Sequence, residues 1–176
     1  MTKRPHIYYA EMNSPIGTLT IGKSERGICF IEFGSMKDVC SVVDTWLKKC
    51  LMNVELINNE VELQEAIQQL EEYFRGERMS FDLPLDLVGT KFQILVWNKV
   101  KEIYYGETKS YKQIATEIGA PKAVRAIGGA NNKNPIPIII PCHRVIGTNG
   151  SMVGYGGGID KKEYLLKLEG AIEKIS

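Results

Sequence analysis

The sequence predicts an α+β fold in which a small mixed α/β domain precedes a mainly helical one. Three observations support this class: β-forming residues dominate the first third of the chain, helix-start signals recur in the second half, and no long linker separates them. The 176 residues suffice for one domain or two small ones. We place the boundary in the irregular stretch 77–89, which gives domains 1–86 and 87–176.

Strands and one helix are predicted first. Ile7–Tyr9, Thr18–Ile21 and Ile28–Phe33 are rich in β-forming residues, and turn residues lie between them. A helix is then predicted over 36–49 and a further strand over 54–57.

The next helix is predicted to begin at Asn59, because Glu62 lies three residues on, as in a capping box. Gly76 is a typical helix stop, since glycine readily adopts the left-handed conformation found there. Between them, apolar residues recur at helical spacing and predict one buried stripe, formed by Leu63, Ile67, Leu70 and Phe74.

Four helices are predicted in the second domain, over 91–102, 111–118, 121–131 and 161–169. Three have an N-cap residue followed by an acid or amide at the third helical position. These pairs are Thr90 with Gln93, Ser110 with Gln113, and Asp160 with Glu163.

Two of these helices predict a helix-turn-helix. Gly119 is a natural stop and Pro121 a natural first helical residue, so a short turn joins them. The second helix is nearly bare of side chains except for Arg125. Such a surface suits either close packing against another helix or close approach to a nucleic-acid groove, with Arg125 as a probe.

Charge is distributed unevenly, although the net charge is only +1. Segment 55–86 holds nine acidic and two basic residues, whereas segment 109–146 holds six basic and one acidic. This pattern favours a structural half and a half that meets an anionic partner; two solvated faces of opposite sign would produce it equally well.

Neither a membrane span nor a signal peptide is indicated, because no apolar run approaches 18 residues and none follows the first five. The cysteines form no C-x-x-C pair, and together with His6 they reproduce no zinc-ligand spacing. We therefore expect free thiols in a reducing compartment and no bound metal. The cysteines are Cys29, Cys40, Cys50 and Cys142.

The strongest chemical signal is the adjacent pair Cys142 and His143, because a nearby imidazole is the usual means of forming a thiolate. The pair suits a cysteine protease, a metal site, a thiol acyl-enzyme or a thiol that accepts a transferred group. A protease is disfavoured, since its histidine comes from a remote segment and only His6 is remote. Neighbours in a strand face opposite ways, so the two side chains meet only if the chain turns at Cys142.

The run Ile-Gly-Gly-Ala-Asn-Asn-Lys-Asn-Pro-Ile-Pro-Ile-Ile-Ile-Pro-Cys-His-Arg-Val at 127–145 resembles the signature of the O6-alkylguanine-DNA alkyltransferases. The resemblance extends from about Gly89 to Gly170, nearly half the chain. It implies a ribonuclease-H-like first domain, which agrees here only in length and pattern, and a winged-helix or helix-turn-helix-like second domain.

The resemblance implies a DNA-repair activity, that of a methylated-DNA–protein-cysteine methyltransferase. The alkyl group on O6 of guanine would pass irreversibly to Cys142, so each molecule acts once. No cofactor is implied, since the lesion itself carries the electrophilic carbon. His143 would activate the thiol through a water, Glu169 would orient His143, and Asn134 would brace the turn around the cysteine.

The resemblance further implies that the damaged nucleotide is flipped out of the duplex, with the protein in the minor groove. Arg125 would fill the vacated stack, and Tyr111 would assist rotation and contact the guanine edge. Loop 154–158 would wall the pocket, and its Gly156 stands where some relatives carry serine, which leaves a backbone N–H for O6. The other expected contacts are Ala123, Ala126, Gly128, Tyr155 and Gly157.

The expected partner is double-stranded DNA containing O6-alkylguanine, with O4-alkylthymine as a further candidate lesion. The protein is expected to be a monomer without membrane association, cytoplasmic, or nuclear in a eukaryote. Two alternatives lack transfer: a non-catalytic protein that binds alkylated DNA, and a helix-turn-helix regulator. Cys142 disfavours the first, and the full set of Asn134, Cys142, His143 and Glu169 would have no purpose in the second.

Overall fold

The structure, a computed structural model, describes residues 5–50, 53–150, 152 and 155–172, with the backbone alone for Cys50. The chain divides into two compact units, Met1–Val88 and Gly89–Ser176. The division falls within the irregular stretch in which we placed the domain boundary. Across the described ranges, no helix has both the length and the apolar character needed to cross a membrane.

A four-stranded mixed sheet forms the first unit. Its strands are β1 (His6–Ser14), β2 (Gly17–Ser24), β3 (Gly27–Phe33) and β4 (Glu55–Asn58), in the order β3-β2-β1-β4. The β1–β2 and β2–β3 pairs are antiparallel, whereas β1 and β4 run parallel. The chain reaches β4 only after helix α1 (Met36–Cys50), as a parallel pair requires a long connection.

One apolar cluster of this unit joins the sheet and α1. Val39, Val43 and Leu47 recur every four residues and place one face of α1 against Ile7 and Phe30. Cys29 belongs to the same apolar cluster and has no exposed surface. The predicted strands and helix are confirmed, with β1 longer than the predicted Ile7–Tyr9.

Helix α2 (Gln64–Phe74) begins later than predicted. The Asn59 side chain does accept a hydrogen bond from the Glu62 N–H (3.3 Å), but the following residues form turns. The buried face comprises Leu63, Ala66, Gln69, Leu70 and Tyr73, so the predicted positions Ile67 and Phe74 lie at its margin. The buried face of α2 is therefore rotated about the helix axis relative to the predicted stripe. It includes the large ring of Tyr73, which the predicted stripe did not contain.

Four helices dominate the second unit, as predicted. They are α3 (Lys91–Lys101), α4 (Tyr111–Glu117), α5 (Val124–Asn132) and α6 (Ile159–Leu168). The capping boxes at Thr90 and Ser110 are both formed, each with reciprocal side-chain and backbone hydrogen bonds. Two short parallel strands, β5 (Lys109–Ser110) and β6 (Val145–Ile146), pair with each other. Helix α4 begins directly after β5.

Two predicted helix starts are wrong. Helix α5 begins at Val124, because the Ala123 N–H donates to the Ala120 carbonyl (2.9 Å) and closes a turn that contains Pro121. Proline suits the second position of such a turn as well as it suits a helix start. Helix α6 begins at Ile159 rather than after Asp160, because Gly158, with φ of +105°, is its N-terminal flanking residue.

Candidate active site

Cys142 begins a short 3₁₀ turn, Cys142–Arg144, that leads into β6. The Cys142 N–H donates to the Ile140 carbonyl (2.7 Å), and the Arg144 N–H donates to the Pro141 carbonyl (2.9 Å). The chain therefore turns at the cysteine, as the adjacent Cys-His pair requires. Both Cys142 and His143 are buried.

Asn134 holds the loop before this turn. Its Nδ2 donates to the Ile140 carbonyl (2.8 Å), and its Oδ1 accepts from the Ile136 N–H (2.9 Å). Between these contacts Ile138 has φ of +75°, in the left-handed region that branched side chains rarely adopt. Such a conformation costs about 1–3 kcal/mol, so surrounding bonds must hold it. Asn134 supplies two of them.

The environment of Cys142 both opposes and assists ionisation. Burial raises the pKa of the thiol to about 11, while a hydrogen bond from Asn134 and the charge of Lys162 act in the lowering direction. The thiol is therefore protonated at neutral pH. Attack on an electrophile requires a group that takes up its proton.

His143 is arranged as a base. Its Nε2 lies 2.8 Å from Glu169 Oε2, and neither side chain is exposed. Burial lowers the pKa of His143, which keeps the imidazole neutral near pH 7. A carboxylate only accepts hydrogen bonds, so the ring proton belongs on Nε2. Nδ1 then carries the lone pair, and it is buried with no hydrogen-bond partner among the described residues.

Glu169 is fixed as a carboxylate by two donors. Burial acts to raise its pKa, but hydrogen bonds from His143 and Arg144 lower that pKa to about 2. Arg144 binds both carboxylate oxygens, with Nε to Oε1 at 2.8 Å and Nη2 to Oε2 at 2.9 Å. Its third hydrogen bond goes from Nη1 to the Ile103 carbonyl (2.6 Å), and its guanidinium lies over the Tyr105 ring.

Two buried cations near the thiol were missed by sequence reasoning. Arg144 belongs to the motif at 127–145, but no role was predicted for it or for Lys162. Lys162 has no exposed surface, and its Nζ donates to the Val145 carbonyl (2.6 Å). Burial lowers its pKa to about 8. The signal was its spacing, since Lys162 precedes Leu166 by four residues and so shares the buried face of α6.

Tyr111 lies at the start of α4 and is partly buried. Burial raises its pKa, a hydrogen bond with Asn131 acts to lower it, and the charge of an ionised Cys142 would raise it. Asn131 also contacts the nucleophile's turn, since its Nδ2 donates to the Cys142 carbonyl (3.3 Å).

The predicted DNA-contacting face of α5 points to solvent. Arg125 and Ala126 are exposed, while Ala123 and Gly128 are partly buried. Packing uses the opposite face, through Ile127 and Ala130. The small residues therefore do not serve only helix-helix packing. The same unit exposes further basic side chains, at Lys112, Lys122 and Lys133.

The expected pocket-wall loop is described from Tyr155 onwards, and Gly154 lies outside the described residues. Tyr155 is buried, and burial raises its pKa well above the usual value. Gly156 is exposed and Gly157 partly so. Among the described residues, a β-carbon at Gly156 would lie 3.6 Å from the Asn132 carbonyl oxygen and 3.9 Å from Asn132 Oδ1, which are ordinary contact distances, so a β-carbon fits there.

No metal-binding group of three or more histidine, cysteine or carboxylate side chains occurs in the described part of the chain. Cys29 lies in the core and Cys40 is exposed on α1, while the side chain of Cys50 falls outside the described residues. His6 lies in β1, where its ring meets Tyr8 edge-on.

Two family models match the chain. The model described as 6-O-methylguanine DNA methyltransferase, DNA binding domain, matches residues 91–171. The model described as 6-O-methylguanine DNA methyltransferase, ribonuclease-like domain, matches residues 7–87. Each match falls within one of the two compact units.

Known proteins resemble the chain over nearly its whole length. A methylated-DNA–protein-cysteine methyltransferase of Methanosarcina acetivorans is 50% identical over 165 residues, 94% of this chain and 99% of the relative. The inducible protein of that name in Bacillus subtilis is 38% identical over 168 residues, 96% and 93% of the two chains. The crystal structure of Mycobacterium tuberculosis OGT in complex with DNA is 41% identical, with a TM-score of 0.77 and 93% coverage of each chain.

Proposed function

The chain belongs to the 6-O-methylguanine DNA methyltransferase family, and we propose that it repairs DNA by moving the alkyl group from O6 of guanine to its own Cys142. The observation that carries this proposal is the buried thiol that shares one turn with a neutral imidazole locked to a carboxylate. That arrangement combines a nucleophile, a base and a carboxylate that orients the base.

The transfer is a single displacement. The Cys142 sulfur forms a bond to the alkyl carbon as the bond from that carbon to O6 breaks. The guanine leaves with the electron pair of the broken C–O bond. The thiol proton passes through a water to Nδ1 of His143, which gives up one proton to solvent as the guanine takes one up from solvent. The product is a thioether and unmodified guanine, so no cofactor is consumed and no step restores the thiol. Each molecule therefore acts once.

Cys142 and four residues around it have roles in this proposal. Cys142 is the nucleophile and His143 the base. Glu169 and Asn134 are positioning residues, the first holding the imidazole tautomer and the second holding the loop that carries Cys142. Lys162 supplies positive charge that favours the thiolate as it forms.

The nucleotide must leave the stack, because a buried thiol cannot reach O6 in an intact duplex. We assign its extrusion to the exposed face of α5 in the minor groove, where Ala123, Ala126 and Gly128 permit close approach and Arg125 fills the gap. Tyr111 would contact the flipped base, with Tyr155, Gly156 and Gly157 as the pocket wall. The exposed lysines would bind phosphates.

The proposed partner is duplex DNA carrying O6-alkylguanine, bound by a monomer in the cytoplasm, or in the nucleus of a eukaryote. Incubation with a duplex carrying labelled O6-methylguanine tests the proposal. We expect one label per protein molecule, located on Cys142 by peptide mapping. Binding without transfer would instead support a lesion-binding protein or a helix-turn-helix regulator.

Arg125→Ala tests the flipping step separately. We expect transfer from a duplex to slow by at least about tenfold, since an inserted side chain offsets part of the few kcal/mol that unstacking costs. Reaction with a free alkylated guanine base should be unchanged. Equal slowing of both reactions would contradict the flipping role. Lys101→Ala, at an exposed position of α3, is the control for removing a positive charge.

A further inference from the structure

Asn131 places a buried oxygen acceptor beside the nucleophile. The residue lies near the end of α5 and is only 2% exposed. Its Nδ2 donates to the Cys142 carbonyl (3.3 Å), whereas its Oδ1 is buried with no hydrogen-bond partner among the described residues. A buried acceptor without a partner is costly, and a leucine of similar size would avoid that cost. This oxygen is therefore a candidate for contact with a bound ligand.

The orientation of the Asn131 amide follows from its partner. The two ends of an asparagine side chain are distinguished by their hydrogen bonds, since only the NH2 group donates. The Cys142 carbonyl can only accept, so Nδ2 must face it and Oδ1 must be the other end of the amide. The atom without a partner is therefore an acceptor, and a ligand must offer it a donor.

The face of α5 that carries Asn131 borders the site on two sides. A β-carbon on Gly128 would lie 3.9 Å from Tyr111 Cε1, so this face of the helix meets the tyrosine ring. Asn131 follows Gly128 by three residues and shares that face. It also contacts the turn of Cys142 directly. A base held at the thiol would therefore lie close to the Asn131 amide.

O6-alkylguanine offers one donor on the edge of the base that carries O6. Alkylation of O6 leaves N1 without a hydrogen, so the 2-amino group holds the N–H groups of that edge. A base whose alkyl carbon reaches the Cys142 sulfur brings its 2-amino group to the same turn, because both groups belong to one edge. O4-alkylthymine has no N–H on the corresponding edge, since its N3 has lost its hydrogen and its O2 only accepts.

We propose that Oδ1 of Asn131 accepts a hydrogen bond from the 2-amino group of the flipped guanine, which makes Asn131 a specificity-determining residue. The inference rests on the proposed function for its substrate. O4-alkylthymine would leave Oδ1 unpaired, so Asn131 favours the guanine lesion over the thymine lesion. The bond from Nδ2 to the Cys142 carbonyl holds this acceptor in place beside the nucleophile.

Transfer from two duplexes that differ only in the 2-amino group tests this contact. One carries O6-methylguanine and the other O6-methylhypoxanthine, the same base without the amino group. At saturating duplex, we expect the unsubstituted protein to react roughly tenfold faster with O6-methylguanine, because the other base leaves a buried acceptor unpaired. In Asn131→Leu the two single-turnover rates should agree to within about twofold. Asn98→Leu, at an exposed position of α3, is the matched control and should keep the full preference.

The ratio of the two rates separates recognition of the base from packing of the site. Asn131→Leu also removes the bond to the Cys142 carbonyl, but that loss slows transfer from both bases alike and leaves their ratio unchanged. A full preference in Asn131→Leu, or no preference in the unsubstituted protein, would overturn the proposal. Should Asn131→Leu fail to fold, Asn131→Ala goes through the same comparison. Absence of any transfer from O6-methylguanine to the unsubstituted protein would refute the proposed function instead.

Discussion

Cys29 in β3 and Cys142 in the 3₁₀ turn are both buried thiols, and burial raises the pKa of each, to about 12 and about 11. Judged by burial alone, both would be inert core residues. They differ in what surrounds them. Cys29 packs among apolar side chains of the sheet and α1, including Ile7 and Phe30.

Nearby charges act on the thiol pKa in opposite directions at the two cysteines. Asp86 raises the pKa of Cys29 further, whereas Lys162 and a hydrogen bond from Asn134 act to lower that of Cys142. Cys142 also has a neutral imidazole next to it in the chain, with its lone pair on the buried Nδ1. Reactivity at this site therefore comes from the residues placed around the thiol and not from a thiol that is already ionised.

Cys142→Ser has the largest expected effect, because it removes the nucleophile itself and leaves its neighbours in place. A serine hydroxyl is a far weaker nucleophile without a strong base, so transfer should be abolished while duplex binding persists. Cys29→Ala should transfer one label per molecule, as the unsubstituted protein does. Label on the serine variant, or loss of transfer in a folded Cys29→Ala protein, would contradict the comparison.

Glu169→Gln has the next largest expected effect, since it removes the carboxylate that sets the His143 tautomer. We expect the transfer rate to fall roughly 100-fold, at the lower end of what a general base contributes. Arg144 also loses its charged partner, and breaking a buried pair costs about 3–5 kcal/mol of stability. Glu163→Gln on the same helix is the control, because its side chain is 43% exposed.

Acid titration distinguishes the two effects of Glu169. Its pKa is lowered from the ordinary 4.5 to about 2 on folding, so its contribution to stability is present above pH 4.5 and is lost as pH falls toward 2. The free energy of unfolding should therefore fall less steeply across this range in Glu169→Gln. Parallel curves from denaturant titrations would mean that the carboxylate is not held by His143 and Arg144.

These contrasts show what the sequence could predict and what it could not. The adjacent Cys142 and His143 indicated an activated thiol, and capping at Thr90 and Ser110 predicted two helix starts, because both signals are local. Local signals failed at Pro121 and Asp160, where a turn and a glycine decided the start.

The buried cations were not predictable by composition. Lys162 and Arg144 are charged, and charged residues are rarely buried unless they are paired. Their partners come from distant segments, the Ile103 carbonyl and Glu169 for Arg144 among them. Tertiary pairing of this kind gives little signal in a single sequence. The one signal here is the helical spacing of Lys162 and Leu166.

Lys162→Met makes the surroundings of Cys142 more like those of Cys29. Removing the positive charge should raise the pKa of the thiol and slow transfer roughly tenfold near pH 7, the effect of one pKa unit. Because the pKa of Lys162 is about 8, the deficit should shrink above pH 8, where the unsubstituted protein also loses this charge. Transfer rates from pH 6 to 9.5 measure this, with Lys167→Met as the control. A deficit that is constant with pH would show that Lys162 acts only by packing.

The smallest expected effect is the loss of stability when Cys142 is alkylated. Its size tests how tightly the Cys142 turn is packed. The thiol is only 5% exposed, and its loop includes the left-handed Ile138 held by Asn134. An added methyl group at such a site should cost about 1–3 kcal/mol, because the surrounding backbone has little freedom to yield. The melting temperature of the second unit should fall after reaction with a methylated duplex, compared with protein exposed to the unmodified duplex. An unchanged melting temperature would mean that the turn has room for the product, and that the bonds around Cys142 shape its reactivity without confining it.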